Sequence, residues 1–146
     1  MADFVSEVKT IPYPDKDIYS VLSDLNNLEL VKDKIPQDKI KEFSFDTDSC
    51  TISVDPIGNV KFIIVEREPN STIKFEAAQI PFAVNLWIQL KASGDNETKM
   101  KLTVRAELNP FIKPMVAKPL QDGLDKMAEV LATLPYDQIL NHGTIE

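Results

Sequence analysis

The sequence has 146 residues and a formal net charge of −7, and 43% of its residues are hydrophobic. This length predicts a single domain with a substantial core. Because no cluster of Lys and Arg offsets the acidic balance, we expect nucleic acid to be repelled, and the same argument disfavours an anionic membrane surface. The single cysteine, Cys50, rules out an intramolecular disulfide and suits a cytoplasmic protein. We expect no secretory signal and no stable membrane insertion, since every apolar run is too short.

The first 36 residues predict one strand and two short helices. Residues 4–11 alternate with mixed faces, and the following prolines end that strand. A helix is predicted from Asp15, its expected N-cap, with an apolar stripe at Ile18, Leu22 and Leu25. A second short helix is predicted from Leu28 to about Lys34.

Residues 40–108 have a period of two throughout, which predicts about six further strands. Short polar links separate them, and polar residues alternate with apolar ones. This pattern is typical of an antiparallel meander with one wet face, whose apolar face must be covered by another layer. Only the C-terminal helix is long enough to cover it.

The segment NPFIKPMVAKPLQDGLDKMAEVLATLP, residues 109–135, has helical periodicity but contains three prolines in its first half, after Asn109. Asn109 is the expected N-cap, and Pro110 would then be the first helical residue. Because interior prolines cost about 3 kcal/mol each, we predict a break, with one segment over 110–117 and the main helix starting at Pro119. Gly123 would permit close approach to the sheet or add bend, and residues from about 135 to 146 are predicted to be a tail.

Two stretches resemble a known superfamily. VKTIPYPDKDIYSVLSDLNNL, residues 8–28, is similar to its first strand, proline-bounded turn and first helix. TKMKLTVRAELNPFIKPMVAKPLQDGLDKMAEVLA, residues 98–132, is similar to its last strand and C-terminal helix. The order of elements also resembles the START-like helix-grip superfamily, which includes the birch-pollen-allergen-like, polyketide cyclase/dehydrase and lipid-transport families.

The resemblance implies an α+β helix-grip fold over one domain, 1–146. A curved antiparallel sheet of about seven strands would wrap around a long C-terminal helix, with two short helices after the first strand. It also implies a cavity for an apolar or amphipathic ligand. Carried over by position, the ligand-binding residues would be Phe75, Leu86, Ile88, Met100 and Leu102 on the sheet and Phe111, Met115, Val116, Leu120, Leu124 and Met127 on the helix.

The sequence contains few of the residues that nucleophilic catalysis, zinc binding or phosphate binding requires. The only histidine, His142, lies in the predicted tail, and a zinc site would need several His or Cys ligands. The four glycines are isolated, so there is no phosphate-binding loop. Asp46, Asp48 and Asp55 are interpreted as turn-forming rather than calcium-binding residues. We therefore predict no metal, no cofactor and no catalytic set, and expect Glu66 to face outward.

The sequence leaves open the orientation of Trp87 and the role of Phe111 and Met115. The stronger apolar face of residues 84–90 puts Trp87 outside, where it would mark a partner surface or cover its neighbours. A bulge would instead turn Trp87 into the cavity. Phe111 and Met115 lie off the apolar stripe of the helix and either pack around the proline bend or form the cavity entrance.

Three functions fit these observations. The favoured one is non-catalytic binding of a small lipid-like or aromatic molecule between sheet and helix. The second is a cyclase- or dehydratase-type enzyme that uses polar cavity groups. The third is an interaction module that uses the outer face of the sheet, where a protein partner or a second copy of the chain would bind.

Overall fold

The computed structural model describes residues 2–27, 40–54, 58–78 and 83–145. These residues contain eight strands and three helices, in chain order: β1 Ala2–Val5, β2 Lys9–Ile11, α1 Asp15–Leu22, β3 Ile40–Phe45, β4 Ser49–Val54, β5 Gly58–Glu68, β6 Thr72–Ala78, β7 Val84–Gly94, β8 Glu97–Ala106, α2 Lys113–Ala132 and α3 Tyr136–Ile145. The helix predicted at Leu28–Lys34 lies outside the described residues.

All the strands belong to one antiparallel sheet in the order β1-β8-β7-β6-β5-β4-β3, with β2 also paired to β8. The meander from β3 to β8 was predicted from the period of two and is confirmed. Residues of alternating polarity form these strands because one face of the sheet meets the core and the other meets water. The inner face lies against α2, so the predicted α+β helix-grip architecture is confirmed.

The predicted first strand is divided in two by a bulge. Val5 pairs with Thr103 and Lys9 pairs with Met100, so residues 6–8 oppose only residues 101–102. Ser6 holds this irregularity in place: its backbone N–H donates to the Leu102 carbonyl at 2.9 Å, and its hydroxyl accepts the Leu102 N–H at 2.9 Å. Because of the extra residue, the side chains that point inward switch from one alternating set to the other between β1 and β2. This switch explains why neither face of the predicted strand was consistently apolar.

A second irregularity lies in β5. Ile64 pairs with Phe75 and Glu66 pairs with Lys74, so Val65 is the extra residue. Beyond it, the Arg67 guanidinium donates two hydrogen bonds to the Ser23 carbonyl, at 3.0 and 2.9 Å, and one to the Asp48 carboxylate at 2.6 Å. Arg67 thereby joins β5, the end of α1 and the β3–β4 turn.

Helix α1 begins at Asp15, but its N-cap position is occupied by Pro14 rather than by the predicted Asp15. Asp15 is the first helical residue, and its carboxylate accepts the Lys16 N–H at 2.8 Å. Asp15 and Asp17 both lie in the first turn, where negative charge is favourable. The predicted apolar stripe is confirmed, since Ile18, Leu22 and Leu25 are buried.

The predicted break in the C-terminal helix is wrong. Helix α2 runs without interruption from Lys113 to Ala132, with Pro114 in its first turn and Pro119 inside it. Asn109 does cap the preceding turn, because its side-chain oxygen accepts the N–H groups of Phe111 and Ile112 at 2.9 Å. The carbonyl that Pro119 leaves without its helical donor belongs to Met115, an exposed residue that water can reach. This access to water lowers the cost of the proline.

The predicted tail is also wrong, since most of it forms α3. Tyr136 and Ile139 are buried in the core. The Tyr136 hydroxyl donates to the Leu131 carbonyl at 2.5 Å, and its ring meets Tyr13 edge to face at 5.6 Å between centroids. These contacts fasten α3 to the end of α2 and to the segment before α1.

Candidate functional site

The candidate site is the inner face of the sheet where α2 crosses it. In register, Ile73 pairs with Ile88, and Ile88 pairs with Leu102. We call these three residues the sealed row, because each is at most 5% exposed. The neighbouring residues Phe75 and Met100 are equally well buried. The protein's own side chains therefore cover four of the five sheet residues that the sequence assigned to the ligand.

A second cross-strand row is covered less completely. Phe45 pairs with Cys50, Cys50 with Phe62, and Phe62 with Ala77, across β3 to β6. We call these four residues the half-covered row, because all of them pack on the core while remaining partly exposed. Leu86, the remaining predicted sheet residue, is also only partly buried.

The positions of α1 and α2 account for this difference. Helix α1 lies against β6 and β7, which carry Ile73 and Ile88. Helix α2 approaches β1, β2 and β8 most closely, and Leu102 lies on β8. On that side the Gln121 amide donates to the Val5 carbonyl at 3.0 Å, and the Asp125 carboxylate accepts the Glu7 N–H at 3.2 Å. The helix is therefore tied to the β1 edge, and the strands at the other end of the sheet receive less cover from it.

The predicted helix residues fall into three groups. Val116 and Leu124 are buried in the apolar face of α2, together with Ala128 and Leu131, which the sequence had not assigned to the site. Leu120 and Met127 pack on the core but are partly exposed. Helical geometry puts these two residues on the flank turned away from Gln121 and Asp125.

Phe111 and Met115 form the third group. They are 87% and 66% exposed, at the start of α2 and on its outward side. Local packing around a proline bend is therefore wrong for both residues. Their role at an entrance stays a prediction.

The described polar groups of the interior are satisfied within the protein. Thr98 donates to the Tyr13 carbonyl at 2.8 Å, and Ser49 donates to the Asp46 carboxylate at 2.8 Å. Over the described ranges, no buried side-chain nitrogen or oxygen lacks a hydrogen-bond partner. Burial raises the pKa of the Cys50 thiol to about 12, so the thiol is neutral and a poor nucleophile. The half-covered row thus presents hydrocarbon and an uncharged thiol.

The acidic residues singled out in the sequence lie elsewhere. Asp46 accepts hydrogen bonds from the Ser49 hydroxyl and from the N–H groups of Asp48 and Ser49, and these hydrogen bonds lower the pKa of its carboxyl. The turn-forming interpretation is therefore confirmed for Asp46, whereas Asp55 lies outside the described residues. Glu66 is exposed, as expected. Within the described part of the chain, no three His, Cys, Asp or Glu residues are grouped to hold a metal ion.

Trp87 lies on the outer face of the sheet. It pairs with Lys74 and Thr103, whereas its neighbours Leu86 and Ile88 pair with inner-face residues. The Lys74 ammonium lies 5.4 Å from the centroid of the Trp87 ring, a cation–π contact that covers part of the ring. The favoured interpretation of the sequence, an outward-facing tryptophan, is confirmed.

The residues of the half-covered row were not among the site residues expected from the sequence. Alternation put Phe45 on the apolar face of β3 and Cys50 on the apolar face of β4, and the same signal extends to Phe62 and Ala77. Periodicity identifies the residues that face inward, but it contains no information on how far a distant helix covers them.

By sequence, the chain matches no protein-family model and no curated protein. By structure it is similar to a START superfamily protein from Mycobacterium smegmatis, with 16% identity and a TM-score of 0.66 over 89% of this chain and 94% of that chain. A protein from Thermus thermophilus gives 15% identity and a TM-score of 0.65 over 97% and 99% of the two chains.

Norcoclaurine synthase from Thalictrum flavum, in a structure with dopamine and hydroxybenzaldehyde, gives 16% identity and a TM-score of 0.67. The similarity covers 97% of this chain and 88% of that one. The START-like helix-grip fold is thus confirmed, and at these identities the likeness concerns the fold alone. No helix in the described ranges is both long and apolar enough to cross a membrane.

Proposed function

We propose that this protein binds a small, uncharged apolar or amphipathic molecule, lipid-like or aromatic, between the half-covered row and α2, without catalysis. The observation that carries the proposal is the incomplete cover of Phe45, Cys50, Phe62 and Ala77 beside a sealed row in the same sheet. Apolar surface that remains partly wet gains about 25 cal/mol per Å² when a ligand covers it.

The chemistry of this surface supports binding over reaction. General acid–base catalysis needs a titratable group within hydrogen-bond reach of the substrate and with a pKa near the working pH. The Cys50 thiol titrates far above that range. The Tyr136 hydroxyl donates to the Leu131 carbonyl, and burial raises its pKa well above the ordinary value. A cytoplasmic setting belongs to the same proposal, supported by the single reduced cysteine.

A second candidate is an enzyme of the cyclase or dehydratase kind. Its support is the likeness in fold to norcoclaurine synthase, whose structure contains dopamine and hydroxybenzaldehyde. It would require at least two polar groups that converge on the ligand, and the half-covered row supplies none beyond the thiol.

The test is native mass spectrometry of protein purified from its own host, followed by titration with lipids and aromatic metabolites. We expect a bound small molecule that returns chemically unchanged after extraction. A protein that is empty and binds none of the compounds would refute the proposal. Conversion of the bound compound would favour the enzyme.

A further inference from the structure

Gly123 lies near the middle of α2 without a backbone reason to be glycine. A glycine inside a helix costs about 0.5–1 kcal/mol relative to alanine. Such a cost is compensated when the backbone needs a positive φ or when another chain segment packs against the Cα atom. Neither applies here: the φ of Gly123 is not in the left-handed region, and among the described residues a Cβ atom at this position would meet no atom within 4 Å beyond its chain neighbours and the backbone of its own helix.

The open space at Gly123 lies on the flank of α2 away from the β1 edge. Gln121 and Asp125, each two residues from Gly123, reach the β1 side of the sheet. Two residues on a helix are about 200° apart, so Gly123 faces the opposite flank. Leu120 and Met127 are on that flank, one turn before and one turn after it, and pack on the core while partly exposed.

Gly123 is itself only partly exposed, and no atom of the described residues outside its own stretch of α2 backbone lies within 4 Å of the position that a Cβ would occupy. The expectation that Gly123 permits a close approach to the sheet is therefore wrong. A helical position that is sheltered, bordered by apolar side chains and left unfilled is a gap that the sequence maintains at a cost in stability.

We infer that Gly123 is a specificity-determining residue, which keeps open the volume occupied by the ligand and limits the size of ligand that the protein accepts. This inference rests on the proposed function and adds to it the part of α2 that the ligand contacts. Because Leu120 and Met127 border the gap, the portion of the ligand beside Gly123 is uncharged and apolar.

The test compares Gly123→Ala and Gly123→Phe with the matched control Glu129→Phe, which puts the same side chain on the exposed face of α2. The probe is N-phenyl-1-naphthylamine, a neutral molecule whose fluorescence rises in apolar surroundings, and naphthalene serves as a smaller competitor. Circular dichroism and thermal unfolding check the fold of each variant.

We expect Gly123→Phe to remain folded and to lose at least about tenfold in affinity for the probe, with a smaller loss for naphthalene. Glu129→Phe should bind as the wild type does. Equal binding by wild type and Gly123→Phe would overturn the inference and leave the proposed function standing. Failure of both Gly123 variants to fold would also overturn it, since the gap would then not exist. A wild type that binds neither probe would refute the proposed function and the inference together.

Discussion

The sealed row and the half-covered row belong to one sheet and are built from similar residues, yet their burial differs. Ile73, Ile88 and Leu102 are closed off by the protein itself, whereas Phe62 and Cys50 on the other row keep part of their surface exposed. Composition cannot explain this contrast, because both rows are apolar. It follows from the positions of two helices: α1 lies against β6 and β7, and α2 is fastened to the β1 edge by Gln121 and Asp125. We conclude that the sealed row provides stability, and we propose the half-covered row as the binding surface.

The largest expected effect tests the sealed row. Leu102→Ala would remove a side chain that is 1% exposed and should lower the free energy of unfolding by about 2–5 kcal/mol. Urea unfolding at constant pH measures this difference. A loss below about 1 kcal/mol would mean that the row is less tightly packed than its burial indicates.

The equivalent alanine substitution on the half-covered row should affect stability less, and ligand binding more, than Leu102→Ala does. Phe62→Ala would remove a partly exposed ring, so we expect a smaller loss of unfolding free energy than for Leu102→Ala. The affinity for N-phenyl-1-naphthylamine should fall about tenfold, which corresponds to about 1.4 kcal/mol. If Phe62→Ala destabilises the protein as much as Leu102→Ala and binds the probe normally, the distinction between the rows is wrong.

The pH dependence of stability reports how strongly the folded protein shields the Cys50 thiol, a member of the half-covered row. Its pKa is raised to about 12 in the folded protein, above the ordinary thiol value of about 8.5. The folded state therefore holds the proton longer than the unfolded chain does. Stability should be unaffected below the ordinary thiol pKa and should fall as pH rises above it, by up to about 1.4 kcal/mol per pH unit.

Urea unfolding at several pH values between about 7 and 10 would detect this slope, with Cys50→Ala as the comparison. Burial of Tyr136 acts in the same direction but is present in both proteins, so their difference isolates the thiol. Parallel curves for wild type and Cys50→Ala would show that the folded protein does not raise the pKa of the thiol, and would contradict its burial.

The smallest expected effect concerns the gap in α2. Gly123→Ala should raise the free energy of unfolding by about 0.5–1 kcal/mol, because alanine is the better helix former and its methyl group would clash with none of the described residues. Thermal unfolding with and without the probe would separate this gain from any change in affinity. A destabilised Gly123→Ala would indicate that a neighbouring side chain already fills the gap.

The sequence predicted those parts of the fold that depend on local periodicity. The alternation over residues 40–108 indicated the meander, and the helical spacing from Ile112 to Leu134 identified α2. Pro119 misled the prediction because the cost of an interior proline depends on whether water reaches the freed carbonyl, and that depends on tertiary position. Residues 136–145 were missed because they contain few apolar positions and follow Pro135. Their place in the core is evident only from the packing of Tyr136 against Tyr13 in the structure.

The site was less predictable than the fold. Residues that face inward could be identified from alternation, and Phe75, Ile88, Met100 and Leu102 do so. The degree of cover depends on contacts such as that of Gln121 with Val5, which are distant in sequence and leave no periodic signal. The same reason explains why the sequence left Gly123 as either a packing glycine or a source of bend, whereas the structure has open space beside it.

The pairing of β1 and β2 with β8 has a consequence for the order of folding. Each link between neighbouring strands from β3 to β8 is a local hairpin, whereas the N-terminal strands find their only described strand partner late in the chain, where Ala2 pairs with Ala106 and Ile11 with Thr98. Pairing across such a separation is slow, because a long loop must close before any contact forms. During synthesis on the ribosome, residues 2–11 therefore cannot pair with β8 until β8 has emerged. Since α2 is anchored on β1, the proposed binding surface is completed among the last steps of folding.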